Sequence, residues 1–248
     1  MGRLHVIMRK EDIDPKRVEE KVAVVLDILI ATTMITSAFR HGAKQVVPVR
    51  TQEEALEAAV HYSAGEVLAA GEYQGRAVEG LLLPNPTELQ AHLPGKTFVL
   101  STTNGTVAIS KAAGAKALYA ASLLNGAAVA RRIGNCHPDD TILIICSGSG
   151  GSVALEDLYG AGYLISCLLE QAGWELTDSA CAALFLYEGK KGQAEEVLRA
   201  SRVGRALVRG GYEKEVRYAA QCGMYGTVPQ LQEGTILMEV GETWPKRT

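Results

Sequence analysis
The chain has no apolar run that reaches the ~18 residues a membrane-spanning helix requires. It also lacks a strong charge of either sign. A formal net charge of −3 over 248 residues gives no electrostatic case for nucleic acid or an acidic membrane surface as a partner. Paired cysteines are missing too. Cys136, Cys146, Cys167, Cys181 and Cys222 are odd in number, scattered and never spaced as CxxC. They read as reduced, mostly buried thiols of a cytosolic protein. The stretch from Met1 to Asp14 turns charged too early for a signal peptide, so a cytoplasmic, soluble protein is expected. No repeat and no low-complexity linker interrupts the chain. With 47% hydrophobic residues and 26 glycines, one α/β domain over 1–248 is expected.

Several familiar signatures fail on inspection. Arg40-His41-Gly42 has the three-letter core of the histidine phosphatases, but it closes a helix before a strand and reads as a surface or capping segment. Cys146 precedes a Gly/Ser loop as in cysteine phosphatases, yet the arginine they need falls at Ser152, which favours a buried structural thiol. Asp27 does not start a DxD motif, because Leu29 occupies the second acidic position. The run Gly148-Ser-Gly-Gly-Ser-Val153 misses the last glycine of a dinucleotide loop and the lysine of an NTPase loop. His5, His61, His92 and His137 have no ligand-like spacing.

What is present is strand–helix alternation. Leu4–Met8, Val22–Leu26, Gln45–Val49, Glu66–Ala69, the run from Thr97, Ala117–Ala121 and Thr141–Cys146 read as strands. Val22–Leu26 is apolar throughout, the pattern of a strand buried on both faces. Helices are expected from Ala31 to about Arg40, after the Thr51/Glu54 capping box, over Gly126–Ile133 behind Asn125, and from Val153 to Gln171. The rest reads as helical to about Arg209, ending in an edge strand pair around Glu233-Gly234 between Val228 and Val240. Gly71-Glu72 opens a loop through Gly80, and Pro84-Asn85-Pro86 is a rigid turn. The fold class is α/β, a mixed, largely parallel sheet with helices on both faces.

Three strand ends carry chemistry. Asp27 stands before Thr32 and Thr33; Thr102, Thr103, Asn104, Gly105 and Thr106 follow the Thr97 strand; Ser147–Ser152 precedes Glu156 and Asp157. Parallel strands would deliver all three loops to one rim, where ligands of α/β sheets bind. Oxygen ligands at Asp27, Glu156 and Asp157 suit Mg²⁺, and hydroxyls with free N–H groups suit a phosphate. Together they form the kit for phosphate-ester hydrolysis. Each piece has a plainer reading: an Asn-Gly hairpin at Asn104-Gly105, a capping role for Asp27, dipole-favoured acids at Glu156 and Asp157, and a flexible Ser/Gly connection.

The segments Asp27-Ile-Leu-Ile-Ala-Thr-Thr33, Gly71-Glu72, Thr102-Thr-Asn-Gly-Thr106 and Leu155-Glu-Asp157, in that order and spacing, resemble the 2-phosphosulfolactate phosphatase family. The resemblance runs from about Val22 to Gly173. It implies Mg²⁺-dependent hydrolysis of (R)-2-phospho-3-sulfolactate to 3-sulfolactate and phosphate, a step toward coenzyme M in methanogens, on a three-layer α/β/α sandwich. On this reading Asp27, Glu156 and Asp157 serve the metal or activate water. Thr32, Thr33, Thr102, Thr103, Asn104, Gly105 and Thr106 hold phosphate oxygens, and Glu72 and Asn85 help to position the substrate. Two features depart from the family pattern: Ile30 stands where the motif has arginine, and Pro84-Asn85-Pro86-Thr87 stands for Gly-Asn-Ser-Pro. The rivals are a phosphatase for another small phospho-hydroxy acid and a non-catalytic sensor of an anionic metabolite. A homodimer is the default assembly.

Overall fold
A computed structural model of the chain describes residues 1–63, 65–171 and 173–240. β1 (Arg3–Ile7) passes through a 3₁₀ turn (Lys10–Asp12) and α1 (Pro15–Val18) into β2 (Val22–Leu26), α2 (Ala31–Arg40) and β3 (Gln45–Val49). Then come α3 (Gln52–Ala59), the β4 (Val67–Tyr73) and β5 (Arg76–Ala77) hairpin, and α4 (Pro86–Leu89). Strand and helix alternate through β6 (Thr97–Ser101), α5 (Gly105–Ala112), β7 (Ala117–Ala121), α6 (Gly126–Cys136), β8 (Thr141–Cys146) and α7 (Leu155–Leu169). β9 (Glu175–Leu176) leads to four helices, α8 (Asp178–Gly189), α9 (Ala194–Ala200), α10 (Arg202–Arg209) and α11 (Glu213–Ala219), before β10 (Pro229–Gln232) and β11 (Ile236–Glu239).

The strands form one mixed sheet in the order β5-β4-β6-β3-β11-β10-β7-β2-β8-β1-β9. Two parallel blocks are visible, β7-β2-β8-β1-β9 and β3-β6-β4. The β10–β11 hairpin joins them and pairs antiparallel with β7 on one side and β3 on the other. Two sequence expectations are corrected here. The hairpin is central rather than at an edge. The blocks also run in opposite senses along the sheet, so parallel pairing alone does not put all the loops on one rim.

Packing across both blocks brings the loops together instead. α5 lies against β2, β3 and β7, and α2 against β7, β3 and β10. One core joins Ala23 and Val25 of β2 to Val46, Phe98, Leu100, Leu231 and Leu237, with Met34, Ile35 and Ile109 from the helices. The other face of β2 (Val22, Val24, Leu26) packs with α6 to α9 around Ile133, Tyr159, Leu164 and Leu198. The architecture is an α/β sandwich, as expected.

Local details also differ from expectation. β4 extends through Glu72, which pairs with Ala77 where a loop was expected. α7 begins at Leu155 rather than Val153, and helix continues past Arg209 to Ala219. Asn125 precedes α6 but does not cap it. Its amide accepts from Ser122 N–H at 2.8 Å and donates to the carbonyls of Ala120 and Thr227. Thr51 does cap α3, accepting from Glu54 N–H, and the Glu54 carboxylate takes Arg50 N–H. His41 closes α2 through a 2.8 Å contact with the Ser37 carbonyl. It therefore lies a whole ten-residue helix, roughly 15 Å, from the Asp27 end. Among the described residues no helix is long and apolar enough to cross a membrane, and all five cysteines are free.

α7 and α8 touch backbone to backbone at Gly162, where an added Cβ would fall 2.1 Å from the Ala183 carbonyl oxygen. Alanine normally strengthens a helix relative to glycine by about 1 kcal/mol. Here the overlap reverses the sign, and Gly162→Ala is expected to destabilise by about 1–3 kcal/mol. Denaturant unfolding measures it; an unchanged midpoint would mean that the helices part without cost.

Candidate active site
Asp27 directly follows the last residue of β2 and is 5% exposed. The N–H groups of Ala31, opening α2, and Gly105, opening α5, favour its charged form. Gly105 has to be glycine. A Cβ there would lie 2.5 Å from the Ala31 Cβ and 2.6 Å from Asp27 Oδ2. The starts of two helices from opposite blocks thus close on one carboxylate.

Asp157 ties this loop to the next strand end. Its Oδ1 accepts Ile28 N–H at 2.9 Å and its Oδ2 accepts Gly148 N–H at 3.1 Å. Glu156, its neighbour on α7, is 2% exposed, and Ser201 and Arg202 nearby favour its charged form. Burial and like charge act together on this group. Asp27 is raised to about 7, first by burial and then by Glu72 and Glu156. Asp157 is pushed well up by burial, then by Asp27 and Glu156, and Glu156 is raised by burial. Cys146 beneath them is raised for the same reasons, burial first, so it is a packed thiol and not a nucleophile.

The threonines shape these loops. Thr32 Oγ1 accepts Asp27 N–H and donates to the Asp27 carbonyl, and Thr33 Oγ1 donates to the Ile28 carbonyl; both residues are fully buried. Thr102 and Thr106 bond reciprocally, each side chain accepting the other's N–H. Thr103 gives its N–H and its hydroxyl to the Glu72 carboxylate at 2.7 and 3.2 Å. Glu72 also accepts Gly75 N–H, which fastens the β4–β5 hairpin onto the loop after β6. Asn85 is bonded to Glu88, and no hydrogen bond joins it to the Asp27 group.

Sequence reasoning passed over the segment after β1, read only as a charged surface stretch. Lys10 Nζ donates to Asn104 Oδ1 at 2.8 Å and pairs with Glu11, while Lys10 N–H bonds the Ser147 carbonyl. Arg9 reaches the Gly151 carbonyl, and Lys111 holds the Lys10 carbonyl. This strap crosses from the Ser/Gly loop to the loop after β6. The usable signal was position: a lysine three residues past a strand that lies beside β8. Ser147, also buried, keeps a hydroxyl with no hydrogen-bond partner among the described residues, an open polar atom beside the carboxylates.

Among the described residues no three His, Cys, Asp or Glu side chains converge as a ready metal cage. The donor chemistry still fits a hard cation. Buried, mutually repelling carboxylates need positive charge, and Mg²⁺ is held by one or two carboxylates, waters and substrate phosphate rather than by an all-protein cage.

Comparison with known proteins is consistent along the chain. The model of the 2-phosphosulpholactate phosphatase family matches residues 7–234. A probable 2-phosphosulfolactate phosphatase of Carboxydothermus hydrogenoformans is 39% identical over 227 residues, 90% of this chain and 92% of its own length. A protein of the same description from Clostridium acetobutylicum is 35% identical over 238 residues, 95% of this chain and all of its own. One from Clostridium beijerinckii is 32% identical over 240 residues, 96% of this chain and all of its own.

Proposed function
The chain belongs to the 2-phosphosulfolactate phosphatase family, and from that membership we propose that it hydrolyses (R)-2-phospho-3-sulfolactate to 3-sulfolactate and phosphate with Mg²⁺. The observation that carries the reading is the buried Asp27–Glu156–Asp157 group where α2 and α5 begin. Asp27 and Glu156 would hold the metal. The bound metal would neutralise carboxylate and phosphate charge and lower the pKa of a coordinated water. Asp157 spends both oxygens on backbone N–H groups, so its part is to lock the two loops and add negative charge. Thr32 and Thr33 brace the Asp27 loop, and Thr102, Thr103 and Thr106 shape the turn that presents Asn104 to the phosphate. Lys10, already on Asn104, adds a cation there, and the Ser147 hydroxyl is free to donate to a substrate oxygen. Glu72 positions this turn through Thr103. Free thiols fit a cytoplasmic setting.

The test is phosphate release from 2-phospho-3-sulfolactate, assayed with Mg²⁺ and with EDTA. Turnover that requires the cation is expected. A folded protein that releases no phosphate under either condition would overturn the reading. Ile30, in place of the motif's arginine, favours a second reading, a phosphatase for phosphoglycerate or phospholactate, and the same assay run on those esters decides between them.

A further inference from the structure
Beside Glu156 the Ser/Gly loop and the start of α10 enclose a cleft of about 220 Å³, walled by Ser149 and Leu155 on one side and Ser201, Arg202 and Arg205 on the other. At ~30 Å³ per water this is room for about seven waters, enough for a small oxyanion and too little for a bulky group. Glu156 is the shared wall. On one side it lines the cleft; on the other its charge acts on Asp27. Through Glu156 the cleft adjoins the carboxylate group at Asp27.

Arg202 is exposed at the cleft and makes no hydrogen bond or ion pair among the described residues; Glu156 is the charge it influences. Its guanidinium rests against the Ser/Gly loop at Gly150, where a Cβ would fall 2.8 Å from Nη2, and Gly150 has a φ of +58°. The positive φ favours glycine there, and the guanidinium lies close over its bare Cα. Arg205 is half committed, giving one N–H to the Ala200 carbonyl. An anion next to Glu156 would be repelled without a cation, and the guanidinium fork offers paired donors to an oxyanion.

Resting on the phosphatase reading, we propose that this cleft is the subsite for the substrate's second strong anion, the sulfonate on the carbon next to the phosphate ester, and that Arg202 recognises it. Arg202 thereby supplies, from α10, the cation that Ile30 does not.

The experiment compares kcat/KM for 2-phospho-3-sulfolactate and for 2-phospholactate, which lacks only the sulfonate, in wild type, Arg202→Gln and Arg202→Lys. Wild type should prefer the sulfonated ester. Arg202→Gln should lower kcat/KM for that ester about 10- to 100-fold, chiefly through KM, and change phospholactate less than ~3-fold; Arg202→Lys should fall between. Equal losses on both esters would mean that Arg202 only neutralises Glu156, and would overturn the subsite while leaving the phosphatase in place. No change on either ester, or a wild type indifferent to the sulfonate, would do the same. A wild type that hydrolyses neither ester would bring down the phosphatase reading and the subsite with it.

Discussion
Replacing Asp27 by asparagine is expected to lower kcat by about 10³-fold or more while the protein stays folded. Asparagine keeps the shape of the side chain and one acceptor for the N–H groups of Ala31 and Gly105, so no cavity opens in a site that lacks room for even a Cβ at Gly105. It removes the charge that draws a divalent cation to this point, and with it any nucleophilic role of the carboxylate. It also removes one of the like charges that burial crowds together at Asp27, Glu72, Glu156 and Asp157. Without metal, the variant should therefore unfold at the wild-type temperature or above. Phosphate release and thermal unfolding in EDTA measure the two halves. Activity within tenfold of wild type would show that Asp27 is a structural acid, and a large drop in melting temperature would show that the lost activity reports misfolding.

The metal-free protein should lose stability as pH rises. Asp27 sits near pH 7 in the folded chain against 3.8 as its ordinary value. Between those values the folded state holds a proton that the unfolded state has released, so the slope of unfolding free energy with pH is negative. The contribution is fully present below about pH 4 and is lost as pH climbs through 7. For this buried group about three pH units correspond to on the order of 4 kcal/mol. Glu156 and Asp157, also raised, act in the same direction. At the few degrees per kcal/mol typical of a chain this size, the melting temperature in EDTA should fall on the order of 10 °C between pH 5 and pH 8. A cation that binds the ionised carboxylates should restore more at pH 8 than at pH 5. A melting temperature flat across that range, or an Mg²⁺ increment independent of pH, would remove the carboxylate group as the metal's binding place.

The residues that carry chemistry were legible because their signals are local. Asp27 and Gly105 sit a few positions past a strand, and Glu156 and Asp157 follow the strand that ends at Cys146 across one Ser/Gly loop; the apolar runs of these strands are plain in the sequence, as in Val22–Leu26 and Thr141–Cys146, both found with those bounds. The Arg9–Lys10 strap was not legible, because nothing near it says that β1 lies beside β8. The threonines show the same divide. Their types were right for a polar rim, yet which hydroxyls are committed to backbone carbonyls depends on how tightly the loops close, as Thr32 and Thr33 show.

The sequence by itself determined the main strands and helices, the α/β class and the family, since apolar periodicity, helix starts and short motifs are written within a few residues of one another. The hairpin at residues 229–239 was legible as two strands, but its place in the middle of the sheet was not. Strand order is set by which faces bury together, and that is a property of partners distant in the chain. Only the tertiary structure decided that two opposed parallel blocks pack against the same two helices, α2 and α5. That shared packing brings the start of α5 against the end of β2, with Gly105 close to Asp27. It also set the exposed Arg202 beside Glu156, 46 residues away along the chain, because packing of the late helices on the sheet, and no motif, determines which charge faces which.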